Sequence, residues 1–234
     1  MALERLRIAL IAEDFPPDFG GTHVYNLELT RRLLDRGHRV DVFTWDARQG
    51  DGSSLDARQP FSVVRRPRVR GPNGIRPDGV TETLNQWGPD VAWVSGGCRA
   101  VSQVARAAER VAPTVVSVHD LRDKGRVRGP LGRHRVRRRY GFRQASGFAA
   151  NSQDTRGRLV RLGVDDALIR VVYPGVDSRE FFPDPEAGEA VRRTLGFEKR
   201  KIILTIARMS SNKGHARVIR TLPQLRKAHP DMAT

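Results

Sequence analysis

The fold of this chain is decided by Ile8-Ala-Leu-Ile-Ala12 and the loop that follows it, Asp14-Phe-Pro-Pro-Asp-Phe-Gly-Gly21. Five consecutive apolar residues are typical of a strand that is buried on both faces. Residues 22–36 then have helical periodicity, and Gly37 is a stop signal. Four leucines are expected to form the buried stripe of this helix: Leu27, Leu29, Leu33 and Leu34. A buried strand, a glycine loop and an amphipathic helix form the first unit of a doubly wound α/β fold with a mostly parallel sheet.

The same alternation of apolar runs and helical segments continues along the chain. Further strands are predicted at residues 40–45, 61–64, 91–94, 114–118, 148–150 and 169–173. Further helices are predicted at 98–111, 133–145 and 153–162. Ligands of such sheets bind at the carboxyl ends of the strands. Binding residues are therefore expected in the loops after Ala12, Val94, Val118 and Ala150.

The domain organisation follows from the length of the chain and from changes in composition along it. A chain of 234 residues is longer than the common domain size of about 100–150 residues, but short for two full α/β domains. Residues 1–173 are predicted to form the first domain, and the Pro- and Gly-containing segment 174–200 a linker with a short helix that ends near Gly196. Residues 201–234 begin a second, incomplete α/β unit with a strand at 201–207 and a helix at 214–229. One strand and one helix cannot close a core, so residues 199–234 are expected to be poorly packed.

The composition favours anionic partners. Lys and Arg number 42 against 26 acidic residues, which gives a formal charge of +16, and nucleic acid, an acidic membrane surface and phosphate-bearing substrates all remain open. Nine cations lie within 122–139, where they indicate lipid headgroups, phosphates or a solvated basic loop. Cys98 is the only cysteine, so no intramolecular disulfide is expected. Without a signal-peptide pattern or an apolar run of about 18 residues, a cytoplasmic location with at most peripheral membrane contact is expected.

Two cations mark a candidate phosphate site. Arg208 and Lys213 lie five positions apart where the predicted strand runs into the predicted helix. Side-chain charge and free N–H groups at a helix start together suit a diphosphate. Gly20 and Gly21 likewise allow a ligand close to the backbone, although they also suit an ordinary turn. The loop lacks the G-x-G-x-x-G spacing of a dehydrogenase.

Polar residues follow two further strands. His119-Asp120 follows the strand at 114–118. A histidine at this position can hydrogen-bond a sugar hydroxyl or an acceptor group. Alternatively, the pair is structural and Asp120 caps the next turn. Ser152 and Asp154 are good helix-capping residues that need no ligand. Zinc-ligand spacing, a Walker loop and an Asp-x-Asp pair at a strand end are missing from the sequence, and no metal site is expected.

Taken in order, these segments resemble family 4 of the retaining glycosyltransferases, which have the GT-B fold of two Rossmann-like domains. The resemblance lies in five stretches that span nearly the whole chain: Pro16 to Val40, Val118-His119-Asp120, Asn151 to Val164, Tyr173 to Pro183 with its Pro-Gly-Val-Asp, and Arg208 to His215. It implies an N-terminal acceptor domain at 1–173 and the start of a donor domain at 201–234.

The resemblance also implies roles for individual residues. Gly20 and Gly21 would lie near the donor phosphates and the acceptor, His119 would contact the transferred sugar or the acceptor, and Arg208 and Lys213 would hold the diphosphate. A nucleotide diphosphate sugar would be the donor, with retention of anomeric configuration and with neither cofactor nor obligatory metal. The family's two donor-binding glutamates would fall beyond Thr234, and Ala207 stands where the family usually has Gly.

Three functions follow as hypotheses. The first is a glycosyltransferase whose donor half lies further along a longer chain or in a second subunit. The second is a non-catalytic partner protein that keeps the acceptor domain. The third is a nucleic-acid binder that uses 122–139, which the scarcity of interleaved aromatic residues disfavours. The sequence does not identify the acceptor. The basic stretch is consistent with an anionic or lipid-linked acceptor, and natural-product aglycones and small sugars are equally plausible.

Overall fold

The computed structural model describes residues 4–48, 50–71, 74–75, 77–95, 101–119, 121, 145–230 and 232–233. The chain divides into two compact units, Met1–Gly175 (unit 1) and Val176–Thr234 (unit 2). The basic stretch 122–139, Cys98, Asp120 and most of the helix predicted at 133–145 lie outside the described residues.

Unit 1 is built around a parallel sheet. In the described residues its strand order is β3-β2-β1-β6-β7-β8-β9, and every neighbouring pair is parallel. The strands of the described residues are β1 (Arg7–Ala12), β2 (Arg39–Trp45), β3 (Val63–Arg66), β4 (Arg70–Gly71), β5 (Gly74–Ile75), β6 (Val91–Ser95), β7 (Thr114–Val118), β8 (Gly147–Ala150), β9 (Ile169–Val171), β10 (Lys201–Ile202) and β11 (Met232–Ala233). The predicted doubly wound α/β architecture is confirmed.

Helices connect these strands. Where the structure describes the chain, they are α1 (Gly21–Asp35), α2 (Ser53–Asp56), α3 (Val80–Trp87), α4 (Val101–Glu109), α5 (Gln153–Arg161), α6 (Pro185–Leu195) and α7 (His215–Ala228). The sequence did not predict α3, which is short and is bounded by two glycines in the left-handed conformation, Gly79 and Gly88. The third strand lies two residues later than predicted, because Arg65 and Arg66 pair with the end of β2.

The core covers both faces of the sheet. Along β1, Ile8, Leu10 and Ala12 belong to one buried cluster, and Ala9 and Ile11 belong to the other. This alternation explains why the strand is apolar at every position, since neither of its faces contacts water. The buried strand therefore fixes the sheet in the middle of unit 1, with its carboxyl ends on one edge.

The predicted leucine stripe of α1 is wrong in part. Its four leucines are only partly buried, although they pack against the core. The fully buried residues of this helix are polar: His23, Asn26 and Thr30. Asn26 Nδ2 donates to the Asp14 carbonyl at 2.8 Å, and Thr30 Oγ1 donates to the Asn26 carbonyl at 2.8 Å. These bonds reduce the cost of burying polar side chains beneath the loop that precedes the helix.

Unit 2 is loosely packed, as the sequence predicts. None of the described residues between 176 and 230 is buried. The strand predicted at 201–207 is wrong in its length, because β10 ends at Ile202 and pairs with the equally short β11. Leu204 and Ile206 are consequently exposed. In α7 the apolar residues Val218, Leu222 and Leu225 are partly buried.

Candidate functional site

The carboxyl edge of the unit 1 sheet has a topological switch point. Chain order runs from β1 outward to β3 on one side and from β6 outward to β9 on the other. Sheets of this kind bind ligands outside the carboxyl ends of the strands that flank such a reversal. The backbone N–H of Glu13 donates to the Ser95 carbonyl at 3.0 Å, which extends the β1–β6 pairing into this edge. The loop that leads to Gly20 and Gly21 starts here.

His119 lies at the same edge, directly after β7. Its ring contacts the Tyr25 ring of α1 edge to face, with centroids 4.4 Å apart. The Nε2 atom lies 2.9 Å from Ser117 Oγ, and Asn151 Nδ2 donates to the His119 carbonyl at 2.9 Å. Side chains from α1, β7 and the loop after β8 thus hold one histidine. The first turn of α1 and the end of β7 are brought together by the Tyr25 contact.

The environment keeps His119 neutral. Burial lowers the pKa of its imidazole, since a partly buried ring loses the hydration that stabilises the charged form. Burial also raises the pKa of the Tyr25 hydroxyl, and a hydrogen bond with the Ser117 side chain opposes that rise. Near neutral pH both groups are therefore uncharged and serve as hydrogen-bonding groups.

The two glycines of the loop differ in their surroundings. Gly20 is the N-cap of α1, and no side chain caps that helix. A Cβ placed on Gly20 would lie 2.8 Å from Nδ1 of His23, whereas nothing lies within 4 Å of the corresponding point at Gly21. Position 20 therefore needs glycine, because the His23 ring occupies the space that a side chain would fill. Gly21 is open to a ligand.

Three arginines that sequence reasoning missed fix this loop. The Arg48 N–H donates to Asp18 Oδ1 at 2.9 Å, and its guanidinium contacts Asp14 at 3.1 Å. Arg65 donates to the Pro16 carbonyl and pairs with Asp56, and Arg68 donates to the Glu13 carbonyl. Arg48 follows β2, Arg65 lies in β3, and Arg68 follows β3. These arginines are far from the loop in the sequence, so no sequence pattern predicts their contacts with it.

Burial shifts the titration of several groups in this cluster. It raises the pKa of the Glu13 carboxyl, with a further contribution from the Asp14 charge, while Arg68 and Arg48 oppose the rise. It lowers the pKa of His23, whose Nε2 lies 3.8 Å from Asp14 Oδ1, although Asp14 and Asp18 act in the opposite direction. Neither ring nitrogen of His23 has a hydrogen-bond partner. The cluster is consequently a partly desolvated support for the loop.

The residues after β8 are structural, in agreement with the sequence. Ser152 Oγ accepts from the Thr155 N–H at 3.1 Å, so the predicted N-cap of α5 is confirmed. Asn151 bonds Thr155 Oγ1 at 2.7 Å in addition to the His119 carbonyl. Asn151 thereby links the start of α5 to the histidine.

Arg208 and Lys213 lie in unit 2, whereas Gly20, Gly21 and His119 lie in unit 1. Both cations are exposed. His215 Nε2 lies 3.0 Å from the Arg208 carbonyl, which closes the loop between them, and Gly214 with φ 79° precedes α7. Two exposed cations beside a helix start without a side-chain cap suit an anion. That both units contact one substrate stays a prediction.

Two features of the described residues concern metals and membranes. In that part of the chain, no three or more His, Cys, Asp or Glu side chains are grouped so as to hold a metal ion. Metal independence itself stays a prediction. Among the described helices none has the length and apolar character needed to cross a bilayer.

Comparison with known proteins gives a consistent result. The family model described as Glycosyltransferase Family 4 matches residues 19–180, which is well over half of the chain. A GDP-mannose-dependent alpha-(1-6)-phosphatidylinositol monomannoside mannosyltransferase of Mycolicibacterium smegmatis is 28% identical over 228 residues, covering 96% of this chain and 58% of that protein. A D-inositol 3-phosphate glycosyltransferase of Kribbella flavida is 27% identical and covers 97% of this chain and 59% of that protein.

Solved structures share the architecture. The crystal structure of Anabaena Alr3699/HepE in complex with UDP-glucose has a TM-score of 0.71 at 20% identity, covering 94% of this chain and 58% of that one. At this identity the similarity shows the fold, and the predicted GT-B class is confirmed. The chain spans a little under three fifths of the length of these relatives.

Proposed function

This chain belongs to glycosyltransferase family 4, and we propose that the complete protein transfers a sugar from a nucleotide diphosphate sugar to an acceptor hydroxyl group. Transfer retains the anomeric configuration and needs no metal ion. The observation that carries this proposal is the position of His119, which lies half-buried at the switch-point edge and touches the helix that begins at Gly21. Family membership over 19–180 supports the same reading.

The residues divide into three groups by role. Arg208 and Lys213 bind the diphosphate and stabilise the negative charge that grows on it as the sugar leaves, a task that a metal ion performs in other enzymes. Gly20 and Gly21 let the donor phosphates or the acceptor approach the backbone at the start of α1. His119 hydrogen-bonds the transferred sugar or the acceptor. Its neutral state suits a hydroxyl partner better than a phosphate.

The acceptor is proposed to carry a phosphate, either free or in a lipid headgroup. One relative is named for a phosphatidylinositol monomannoside and another for D-inositol 3-phosphate. The formal charge of +16 favours such an anionic acceptor. A lipid-linked acceptor would bring the protein to the membrane surface peripherally.

A transfer assay on the complete natural protein tests the proposal. Its intact mass is measured first, and labelled GDP-mannose or UDP-glucose is then supplied with inositol 3-phosphate or with vesicles that contain phosphatidylinositol. Chelator is added, and the product anomer is read by NMR. Arg208→Ala and Lys213→Ala are expected to lower kcat/KM by about 100-fold or more, since each removes one charge-stabilising group. Arg226→Ala, which removes an exposed cation from the last turn of α7, is the matched control.

The outcomes separate the hypotheses. Normal turnover in both Arg208→Ala and Lys213→Ala would overturn the diphosphate assignment. Product of inverted configuration, or activity abolished by chelator, would overturn the proposed mechanism. Binding of acceptor without transfer from any donor would favour the non-catalytic partner protein.

A further inference from the structure

Two apolar side chains at the start of α1 are left exposed. Gly20 is the N-cap of this helix, so Phe19 directly precedes the cap and Val24 lies four residues after it. Apolar side chains at these two positions commonly pack on each other and fix the entry of the chain into the helix. Here, however, Phe19 is 92% exposed and Val24 is 60% exposed. The pair therefore does not close on itself, and in the sequence it flanks Gly21, whose outer side is open.

The backbone on both sides of Phe19 is held by hydrogen bonds. The Arg48 N–H donates to the two carboxylate oxygens of Asp18 at 2.9 and 3.2 Å. The Gly20 carbonyl accepts from the Val24 N–H at 3.2 Å. The exposed ring of Phe19 thus projects from a loop whose neighbouring residues are already fixed. A partner that covers the ring does not first have to order the loop, so little of the binding free energy is lost.

Exposed apolar side chains concentrate at the carboxyl edge of the unit 1 sheet. Of the large exposed apolar residues described in unit 1, those at this edge follow β1, begin α1, follow β3 or follow β9: Phe19, Val24, Val69, Val172 and Tyr173. The remaining ones lie near the end of α5 and directly before β9: Val160 and Leu168. Clustered apolar exposure marks an interaction surface. In this unit it coincides with the edge where ligands are expected to bind.

The charges around the glycine loop are arranged in layers. The side chains of Glu13 and Asp14 are only 19% and 17% exposed, and Asp18 is buried, whereas the Arg48 side chain is 46% exposed. The loop therefore presents apolar side chains and a guanidinium to solvent, with its carboxylates beneath them. Apolar side chains next to exposed cations are typical of surfaces that contact anionic lipid. Asp46, an exposed acid after β2, partly offsets the cation, so the apolar side chains are expected to dominate the contact.

We propose that Phe19 and Val24 form an apolar lip that enters the boundary between the headgroups and the acyl chains of an anionic membrane. The acceptor is then a lipid presented in that membrane, and not a free sugar phosphate. A free acceptor has no apolar part that would cover the exposed ring of Phe19. The inference rests on the proposed function only for the statement that the acceptor headgroup meets Gly21 and His119. Contact between the apolar lip and lipid is measured without any donor.

Sedimentation of the complete natural protein with vesicles of phosphatidylcholine and phosphatidylinositol tests the contact. Phe19→Ser is expected to lower the vesicle affinity by about tenfold or more, because the ring no longer leaves water on binding. Val160→Ser is the matched control, since it removes an exposed apolar side chain far from this edge, and it is expected to leave the affinity unchanged. In vesicles with bromine-labelled acyl chains, the fluorescence of Phe19→Trp is expected to be quenched beyond the wild-type background, whereas that of Val160→Trp is not.

Other occupants of the apolar lip give different results. Equal vesicle affinities for the wild-type protein and Phe19→Ser, with no added quenching in Phe19→Trp, overturn the inference. A wild-type oligomer that dissociates in Phe19→Ser, seen by sedimentation velocity, shows that a second copy covers the ring and also overturns it. A lower urea midpoint in Phe19→Ser than in the wild-type protein shows that the ring is covered within the complete protein, with the same consequence.

The results also distinguish this inference from the proposed function. Vesicle affinity that depends on Phe19 supports the inference, even if no sugar transfer is found. Transfer to inositol 3-phosphate but not to phosphatidylinositol in vesicles overturns it and leaves the glycosyltransferase assignment intact. In an active enzyme, Phe19→Ser is expected to lower kcat/KM by about tenfold for phosphatidylinositol in vesicles and to leave it unchanged for inositol 3-phosphate. An equal loss with both acceptors would show that the ring contacts a group they share, which contradicts the lipid contact.

Discussion

Substitution of Gly20 by alanine tests whether His23 shapes the glycine loop. The new Cβ would lie 2.8 Å from Nδ1 and 3.2 Å from Cε1 of His23. His23 is 5% exposed, so its ring has little room to retreat. Gly20 has φ 160°, which is extended backbone, and the cost of the substitution therefore comes from the contact and not from the dihedral angle. Gly21 is the matched control, since its Cβ would meet nothing within 4 Å.

The expected loss of stability in Gly20→Ala comes from overpacking. Forcing a methyl group into a filled site lowers the free energy of unfolding by about 1–3 kcal/mol. Gly21 is exposed at the first position of α1. Its replacement by alanine should change the free energy of unfolding by no more than about 0.5 kcal/mol. In a His23→Ala background the clash is absent, so Gly20→Ala should cost little. The coupling free energy between positions 20 and 23 is then about 1–3 kcal/mol.

Urea titration followed by tryptophan fluorescence measures these values. Trp45, Trp87 and Trp93 are the three tryptophans of the chain, and all lie in unit 1. The fluorescence therefore reports the unit that carries the substitutions. Equal midpoints for Gly20→Ala and Gly21→Ala, or additive effects of Gly20→Ala and His23→Ala, would refute the argument. If Gly21→Ala keeps its stability but loses transfer in the complete protein, the open side of Gly21 is needed by the ligand.

Two further predictions concern stability. Leu159→Ala removes a fully buried side chain of α5 and should lower the free energy of unfolding by about 2–5 kcal/mol. The neighbouring Val160 is 42% exposed, so Val160→Ala should lower it far less. Equal losses of stability in urea titrations would contradict this. The pKa of His119 is lowered in the folded state. Between that value and the unfolded value of about 6.5, the unfolded state binds more protons, so stability falls as pH drops below about 6.5. His119→Asn should make this fall shallower, and an unchanged slope in urea titrations at several pH values would speak against it.

The sheet was predictable because its strands are buried on both faces. Residues 8–12 and 114–118 are apolar almost throughout, and both were placed within one residue of the observed strands. The strand predicted at 201–207 is equally apolar but ends at Ile202, because β10 pairs only with the two-residue β11 among the described strands. Apolar sequence predicts a strand, but a strand forms only where a neighbour supplies its hydrogen bonds.

Candidate site residues could be chosen from the sequence where they lie beside a predicted strand or helix, and not where they converge from distant elements. His119 directly follows a strand, and Gly20 and Gly21 precede or begin the first helix, so the sequence made all three candidates. Arg48 and Arg68 reach the glycine loop only through the folded β2–β3 region, and no periodicity reveals that contact. Tyr25 lies one helical turn after Gly21, and this spacing was the one available signal that it faces the carboxyl edge.

The misplaced leucine stripe of α1 has a general physical cause. A helix that follows a parallel strand begins above the edge where the strands end, and only its later turns reach the apolar face of the sheet. The first turns of α1 accordingly bury His23 and Asn26, and Thr30 is buried one turn further on, whereas the four leucines are only partly buried against the core. In α5 the same order recurs, with Thr155 buried in the first turn and Leu159 one turn later. In α1 and α5 the first turns therefore bury polar side chains close to the carboxyl edge of the sheet, and an apolar stripe is a poor guide to burial in these turns.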